Sequence, residues 1–167
     1  NKENDDSITE TGKEQATAAL KELPETLDVI IHSGFKRTKM TAEIVAAAYP
    51  DAVLLEDDRI KELDLSDDYE GKAWSEYNAA FTDWADRYER DLPGSENRRD
   101  VQVRMGQFIE ALEREYAGKR ILIVSHAGPL FGLECAVRGL DVAEAGEYFA
   151  EEGTYLKNAE VRKLSYL

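Results

Sequence analysis

Three side chains in this sequence are of types that bind anions and move protons, and each stands at or near the edge of a regular element. His126 and Ser125 follow the apolar run Ile121-Leu-Ile-Val124, and Ala127-Gly128-Pro129 comes next. Where a strand turns into a helix in this way, the first backbone N–H groups of the helix, Ala127's among them, and the positive end of its dipole favour an anion. An imidazole there is an anion ligand, a proton donor, or a structural residue that ends an apolar strand. Arg37, in Ser33-Gly-Phe-Lys-Arg37-Thr-Lys-Met-Thr-Ala42, falls in the first turn of a helix, where the dipole disfavours a cation. It is a solvated surface residue or a guanidinium fork that clamps an anion in bidentate fashion. Glu62 lies among Asp58, Asp64, Asp67 and Asp68. Acidic surroundings raise a carboxyl pKa, which suits a proton donor, although a solvated acid would have the same neighbours.

Other chemistries find less support. With two His, one Cys and no ligand-like spacing, no metal site is expected. The chain has no GxGxxG fingerprint, no Walker A loop and no Gly-x-Ser-x-Gly elbow, and no cofactor is expected.

The elements that must position these residues alternate between helix and strand. Ser7 and Thr9 are candidate N-caps, with Glu10 spaced for a capping box from Ser7, and the helix should run to about Leu23, where Pro24 stops it. Leu27–Ile31 reads as a buried strand, Phe35–Tyr49 as a helix and Ala52–Leu55 as a second strand. Residues 56–72 read as a long acidic loop, and Ala73 to about Arg90 as one polar helix with an aromatic side. The next helix has the clearest period, placing Val101, Met105, Phe108, Ile109, Leu112 and Tyr116 on one face before Gly118. Lys119–Ser125 is a third strand, followed by helices to about Gly139 and from Val142 to Ala150, and a last strand near Glu160–Tyr166. This order predicts a three-layer α/β/α sandwich with a mostly parallel sheet, formed by residues 1–167 as one domain. In such sheets ligands bind beyond the carboxyl ends of the strands.

Composition narrows the partners. With 35 acidic and 21 basic residues, the net charge of −14 opposes a broad nucleic-acid interface and mainly serves solubility, while leaving room for a locally basic pocket that takes a small anion. No apolar run approaches membrane-spanning length. Cys135 is alone, so no intrachain disulfide forms, which fits a reducing compartment; the cytoplasm is the expected location.

Taken in order, these segments resemble the histidine phosphatase superfamily, also called phosphoglycerate mutase-like. Ile8-Thr-Glu-Thr-Gly-Lys-Glu-Gln-Ala16 is similar to its LTxxGxxQA helix start, and Ser33 to Ala42 to SxxxRxxxTA. Arg59-Ile-Lys-Glu62 with Glu70-Gly71 is similar to RLxE…EG, and Pro93-Gly-Ser-Glu96 with Arg104 to PGGES…R. Ile123-Val-Ser-His126-Ala-Gly128 is similar to xVSHGG, and Asn158-Ala-Glu-Val161 to the closing strand. The resemblance implies a metal-free phosphoryl transfer. A His in an N-terminal Arg-His-Gly motif attacks phosphorus, two Arg and a second His surround the phosphoryl oxygens, and a Glu protonates the leaving oxygen. By that resemblance Arg37 is the second Arg, His126 the second His and Glu62 the acid. Asn1 matches an Asn that touches phosphate, and Ser33 has a mainly structural part.

The sequence departs from the pattern in one respect: no Arg-His-Gly occurs in its 167 residues, and His32 lacks that context. The expectation is a truncated sequence whose first strand and nucleophile lie upstream of Asn1, and which alone has little or no activity. The implied activity is hydrolysis of small phosphomonoesters. A phosphoglycerate-type mutase is the alternative, disfavoured because residues 63–92 are short for the insertions such enzymes carry. A non-catalytic phospholigand-binding module is the other; on that view Trp74, Tyr77, Phe81, Trp84 and Tyr88 form a partner surface, although core and lid packing is the preferred reading of that cluster. The substrate and the oligomeric state stay open.

Overall fold

The computed structural model describes residues 7–69, 71–152 (backbone only at 151–152) and 156–164. Three short apolar runs form its sheet. β1 (Val29–His32) is buried along its whole length and lies between β2 (Val53–Glu56) and β3 (Ile121–Val124), both parallel to it. Val29 stands opposite Val53 and Ile121, and His32 opposite Glu56 and Val124. The register therefore brings the carboxyl ends of all three strands to one rim, where Ser33, Asp57 and Ser125 leave the sheet. Among the described residues β3 pairs on one side only, and each of its four residues is partly exposed.

Successive strand residues face opposite sides, so β1 feeds two cores. Ile30 packs with Leu27, Ala42 and Val45, flanked by Leu122 and Val124, beneath α2 (Lys36–Ala48), against which α1 (Glu10–Ala19) lies. Val29 and Ile31 pack on the other side with Met105, Phe108 and Leu112 of α5 (Arg98–Glu115) and Leu133 of α6 (Ala127–Arg138). Helices thus cover both faces, and the α/β/α order expected from the alternation is what forms. The α5 stripe is the predicted one: Val101, Met105, Phe108 and Leu112 are buried, with Ile109 and Tyr116 packed at its flanks. Full burial of a side chain the size of Met105 or Phe108 contributes about 2–3 kcal/mol.

Several local expectations are corrected. The cap of α1 is Thr9, whose hydroxyl accepts from the Gly12 N–H at 3.1 Å, and Glu10 bonds Lys13 instead of closing a box with Ser7. The capping box belongs to α5, where Asn97 accepts from the Asp100 N–H at 2.8 Å and Asp100 from the Asn97 N–H at 3.2 Å. Ala73–Arg90 is not one helix but two, α3 (Trp74–Asn78) and α4 (Trp84–Glu89). Asp83 and Thr82 break it: the Asp83 carboxylate caps the Asp86 N–H, a competition with helical backbone that such side chains favour. The acidic loop after β2 is anchored, since Ile60, Leu63 and Leu65 enter the α5 core. Residues 160–164 carry no strand, while 165–167 lie outside the described residues. Arg162 pairs with Glu134 at 3.2 Å and Glu160 at 2.7 Å, and Leu164 packs on the core. The last described helix is α7 (Val142–Glu152). No helix among the described residues is long and apolar enough to cross a membrane.

Candidate active site

At the rim formed by the strand ends, β1 delivers Ser33 and β3 delivers His126, which is the N-cap residue of α6. Their side chains meet: His126 Nε2 lies 2.8 Å from Ser33 Oγ, which lies 2.7 Å from Thr38 Oγ1 in the first turn of α2. On the opposite edge of the ring, Arg37 donates to His126 Nδ1 from Nε at 3.2 Å and from Nη2 at 3.0 Å. These partners assign the tautomer. Nδ1 accepts from a guanidinium that has only donors, so the ring proton sits on Nε2 and is given to Ser33 Oγ. Ser33 then donates to Thr38, whose hydroxyl has carbonyl acceptors at Phe35 (2.8 Å) and Ser33 (3.0 Å).

His126 is only 7% exposed, and its ring meets Phe35 edge-on at 5.1 Å. The Arg37 guanidinium covers the same Phe35 ring at 4.6 Å. Burial, together with the nearby charges of Arg37 and Arg104, lowers the His126 pKa from 6.5 to about 3. It is therefore a neutral imidazole at physiological pH. Arg37 is half-buried and bound to the site, so the surface-residue alternative does not hold.

Glu62 arrives from the loop after β2. Ser125 Oγ donates to Ile60 O at 2.5 Å, fastening that loop to the end of β3. Arg104 fastens its other side: Nε and Nη2 grip Glu96 at 2.9 and 2.8 Å, and Nη1 donates to the carbonyls of Arg59 (2.6 Å) and Lys61 (3.0 Å). The Glu62 carboxylate accepts from the Leu63 N–H at 2.9 Å and lies against Gly128 so closely that a Cβ there would come within 2.6 Å of Oε1. Gly128 is thus required for the carboxylate to reach the start of α6. The Glu62 pKa is raised, as expected, but by a different cause. Burial is the largest cause, opposed by the Leu63 N–H and by Arg37, Arg98 and Arg104.

A raised folded pKa means that the folded chain holds the Glu62 proton more firmly than the unfolded one. Glu62 therefore costs no stability below its ordinary pKa of 4.5 and costs progressively more as pH rises above it. Glu62→Gln keeps an acceptor for the Leu63 N–H. We expect it to raise the urea midpoint at pH 7 and leave the midpoint at pH 4 unchanged; a lower midpoint at pH 7 would contradict this account.

Ala127 opens α6 and, with Glu62, lines a cavity of about 300 Å³ whose wall also includes Trp74, Tyr88, Arg98 and Phe131. Of the residues expected from sequence, Glu62 and Ala127 line this cavity, Arg37 and His126 are bonded to each other at the start of α6 and are not among its lining residues, and Asn1 lies outside the described residues. Tyr77 and Tyr88 are 2% and 1% exposed, Phe81 and Trp84 are half-buried, and Trp74 is 48% exposed at the cavity rim, so the segment is mainly core and cavity wall, as the packing reading expects. Sequence reasoning did not single out Arg98, which no pattern marked, or the site roles of Arg104, Thr38 and Gly128. The last three lie inside quoted motifs, but only their partners in space disclose what they do.

The chain is similar in sequence and fold to several known proteins. Phosphoserine phosphatase 1 of Hydrogenobacter thermophilus is 29% identical over 156 residues, covering 90% of this chain and 74% of that protein. Probable phosphoglycerate mutase GpmB of Enterobacter sp. is 27% identical over 175 residues, covering 98% of this chain and 75% of its own. Among solved structures, mycobacterial hydrolase 1 superposes with a TM-score of 0.76 at 23% identity, over 93% of this chain and 76% of that one, a likeness of fold. The characteristic sequence pattern of one family runs through residues 1–166, nearly the whole length, and on that match the chain belongs to the histidine phosphatase superfamily (branch 1).

Proposed function

We propose that this chain is the greater part of a phosphatase domain that hydrolyses small phosphomonoesters through a phosphohistidine. The observation that carries this reading is the meeting of Arg37 and His126 at 3.0 Å at the start of α6, with the buried Glu62 carboxyl beside Gly128. A phosphoryl group entering there takes over the Arg37 donors that now rest on Nδ1, and its negative charge restores to His126 the ability to hold a proton. The first N–H groups of α6 add their dipole.

The chemistry divides into two steps. A nucleophilic imidazole attacks phosphorus, the P–O bond to the alcohol breaks, and Glu62 gives its proton to the leaving oxygen. Water then attacks the phosphohistidine and gives a proton to the Glu62 carboxylate, and the N–P bond breaks to release phosphate. Arg37 and His126 hold the charge of both transition states. The attacking imidazole belongs to neither histidine of this sequence. His32 is buried and its Nδ1 donates to Ser33 O at 2.6 Å, and both ring nitrogens of His126 are engaged. We place the nucleophile upstream of Asn1. The edge of β3 that is unpaired among the described residues, and whose last residue leads through Ser125 to His126, suits a strand that would bring it there.

Hydrolysis is preferred to mutase action on the strength of the phosphatase relative and the short segment 63–92. The decisive measurement is phosphoenzyme trapping with a labelled aryl phosphate, without 2,3-bisphosphoglycerate. The 167-residue chain should form no acid-labile phosphoenzyme and turn over little or nothing, whereas the same chain extended by its upstream coding region should do both. Turnover by the 167-residue chain that His126→Ala abolishes would overturn this assignment. Phosphate affinity without any phosphoenzyme in the extended protein would favour a binding module.

A further inference from the structure

The hydrogen bonds on the Nε2 side of His126 run one way. Thr38 Oγ1 is the last hydroxyl of the series and has two carbonyl oxygens within reach, Phe35 O at 2.8 Å and Ser33 O at 3.0 Å. A carbonyl only accepts, so the Thr38 proton points to them, and its oxygen is left to accept the Ser33 proton across 2.7 Å. Ser33 Oγ, its proton spent, has only lone pairs to offer His126 Nε2 at 2.8 Å. The ring proton is thereby fixed on Nε2 from this side alone, and the Arg37 guanidinium reaches the same result from the other edge. We propose that Ser33 and Thr38 are positioning residues: their hydroxyls leave His126 Nδ1 as the nitrogen that takes a proton to meet a phosphoryl group, and they hold the second ring N–H once the imidazole is charged. The inference rests on the phosphatase reading for its ligand, and it goes beyond the structural part that the family resemblance gives Ser33.

Three observations support it. First, Ser33, Thr38 and His126 are all buried. Without the Ser33 oxygen, the Nε2–H would be left without a partner in a buried place, and an unmet donor on a charged ring costs more than one on a neutral ring. Second, the series ends on backbone carbonyls, which neither give up nor take a proton at neutral pH. It is therefore a one-way anchor, and a proton added to the ring enters at Nδ1, the edge where Arg37 lies. Both edges of the imidazole are thus gripped by one stretch of chain, since Ser33 ends β1 and Arg37 and Thr38 are neighbours in the first turn of α2. Third, the charged groups that act on the ring are Arg37 of α2 and Arg104 of α5, both cations that keep it neutral in the free protein. The Glu62 carboxyl, from the loop after β2, stands by Gly128 in the first turn of α6. An anion bound to Arg37 offsets that opposition, and the charged ring then needs an acceptor at each edge: the anion at Nδ1 and Ser33 at Nε2.

The test is nitrogen NMR of the 167-residue chain with labelled histidine, with and without inorganic phosphate. Only two rings contribute, and His32 is the internal reference, because its Nδ1 donates to the Ser33 carbonyl, which Ser33→Ala retains. In the free wild-type chain His126 should carry its proton on Nε2, with a downfield hydrogen-bonded N–H signal, and with phosphate both nitrogens should be protonated. Ser33→Ala should move the free Nε2–H signal upfield. It should also weaken phosphate binding about tenfold and lower by about one unit the pH at which the bound ring gives up its Nδ1 proton, each worth about 1.4 kcal/mol. Thr38→Val, which frees the Ser33 proton to turn toward Nε2, should shift all three in the same direction, and Thr38→Ser, which keeps the hydroxyl, should behave as wild type. The Thr38 pair decides the matter if Ser33→Ala does not fold. A free wild-type ring protonated on Nδ1 overturns the proposal, as do unshifted values in folded Ser33→Ala or a Thr38→Ser no better than Thr38→Val. A free chain that shows the expected Nε2–H signals and their shifts but binds no phosphate would instead refute the phosphatase reading and leave the anchoring of the ring standing.

Discussion

Arg37→Met is expected to lower the affinity of the protein for phosphate and vanadate by about 100-fold or more, the largest effect of any single substitution at the site. A charge-assisted bidentate contact in a half-buried site contributes about 2–4 kcal/mol, and its loss leaves His126 facing the anion without a cation beside it. Arg37→Lys should recover only part of the loss, because an ammonium keeps the charge but not the planar fork that now reaches Nδ1 from Nε and Nη2. Titration calorimetry on the folded variants decides the matter: affinity within threefold of wild type in Arg37→Met would remove Arg37 from the site. The same variant carries a second sign. Arg37 is one of the charges that lower the His126 pKa, so its removal should raise that pKa and make the fold less sensitive to acid.

Acid sensitivity centred on His126 is the second large effect. The folded pKa is depressed from 6.5 to about 3, so the unfolded chain takes up the proton first as pH falls. Stability is fully present above pH 6.5 and is lost progressively toward pH 3, with about 2 kcal/mol gone by pH 5 and about 4–5 kcal/mol at the lower limit. Protonating Nδ1 would also set a ring N–H against the Arg37 donors. His126→Gln, which lacks the titration, should show a pH 7 to pH 5 difference in unfolding free energy smaller than wild type by about 2 kcal/mol. Glu62 works in the opposite direction over this range, since its raised pKa makes acidification favourable, and it is common to both proteins. An identical pH dependence in His126→Gln would locate the acid sensitivity elsewhere. Phosphate should reduce the loss in the wild-type protein, because a bound anion stabilises the charged imidazole.

How far the sequence disclosed this arrangement depends on the range of the forces involved. The three strands, α5 and the start of α6 were legible because each is set by a local pattern: the Ile121-Leu-Ile-Val124 run, the spacing from Val101 to Leu112, and the turn at His126. Arg37, Glu62 and His126 could be nominated by type and place, but not joined, since 89 residues separate the partners of the Arg37–His126 bond. Glu62 shows the limit well. Its raised pKa was expected from the aspartates around it in sequence, yet the cause is burial beneath Gly128, which only the folded chain brings near. The break between α3 and α4 was missed because the aromatic residues suggest a continuous face, whereas the Asp83 cap is a one-residue event. Arg98 follows the Asn97 cap among other charged residues, and its place in the cavity wall could not be read from its neighbours in sequence.

Arg98 lies in the cavity wall with its guanidinium 5.7 Å from the centre of the Trp84 ring, and the support beneath it separates two parts of the molecule that evolution can change independently. The groups that would handle phosphate hang from the strand tips and the first turns of α2 and α6, whereas the Trp84 platform is held by Val142, Gly146 and Phe149, all in α7. A substitution on α7 can therefore tilt the indole, and the guanidinium lying on it, without altering any atom near the reacting phosphorus. In a laboratory selection for new substrates, the productive changes would gather on this helix, none of whose residues is among those that line the cavity.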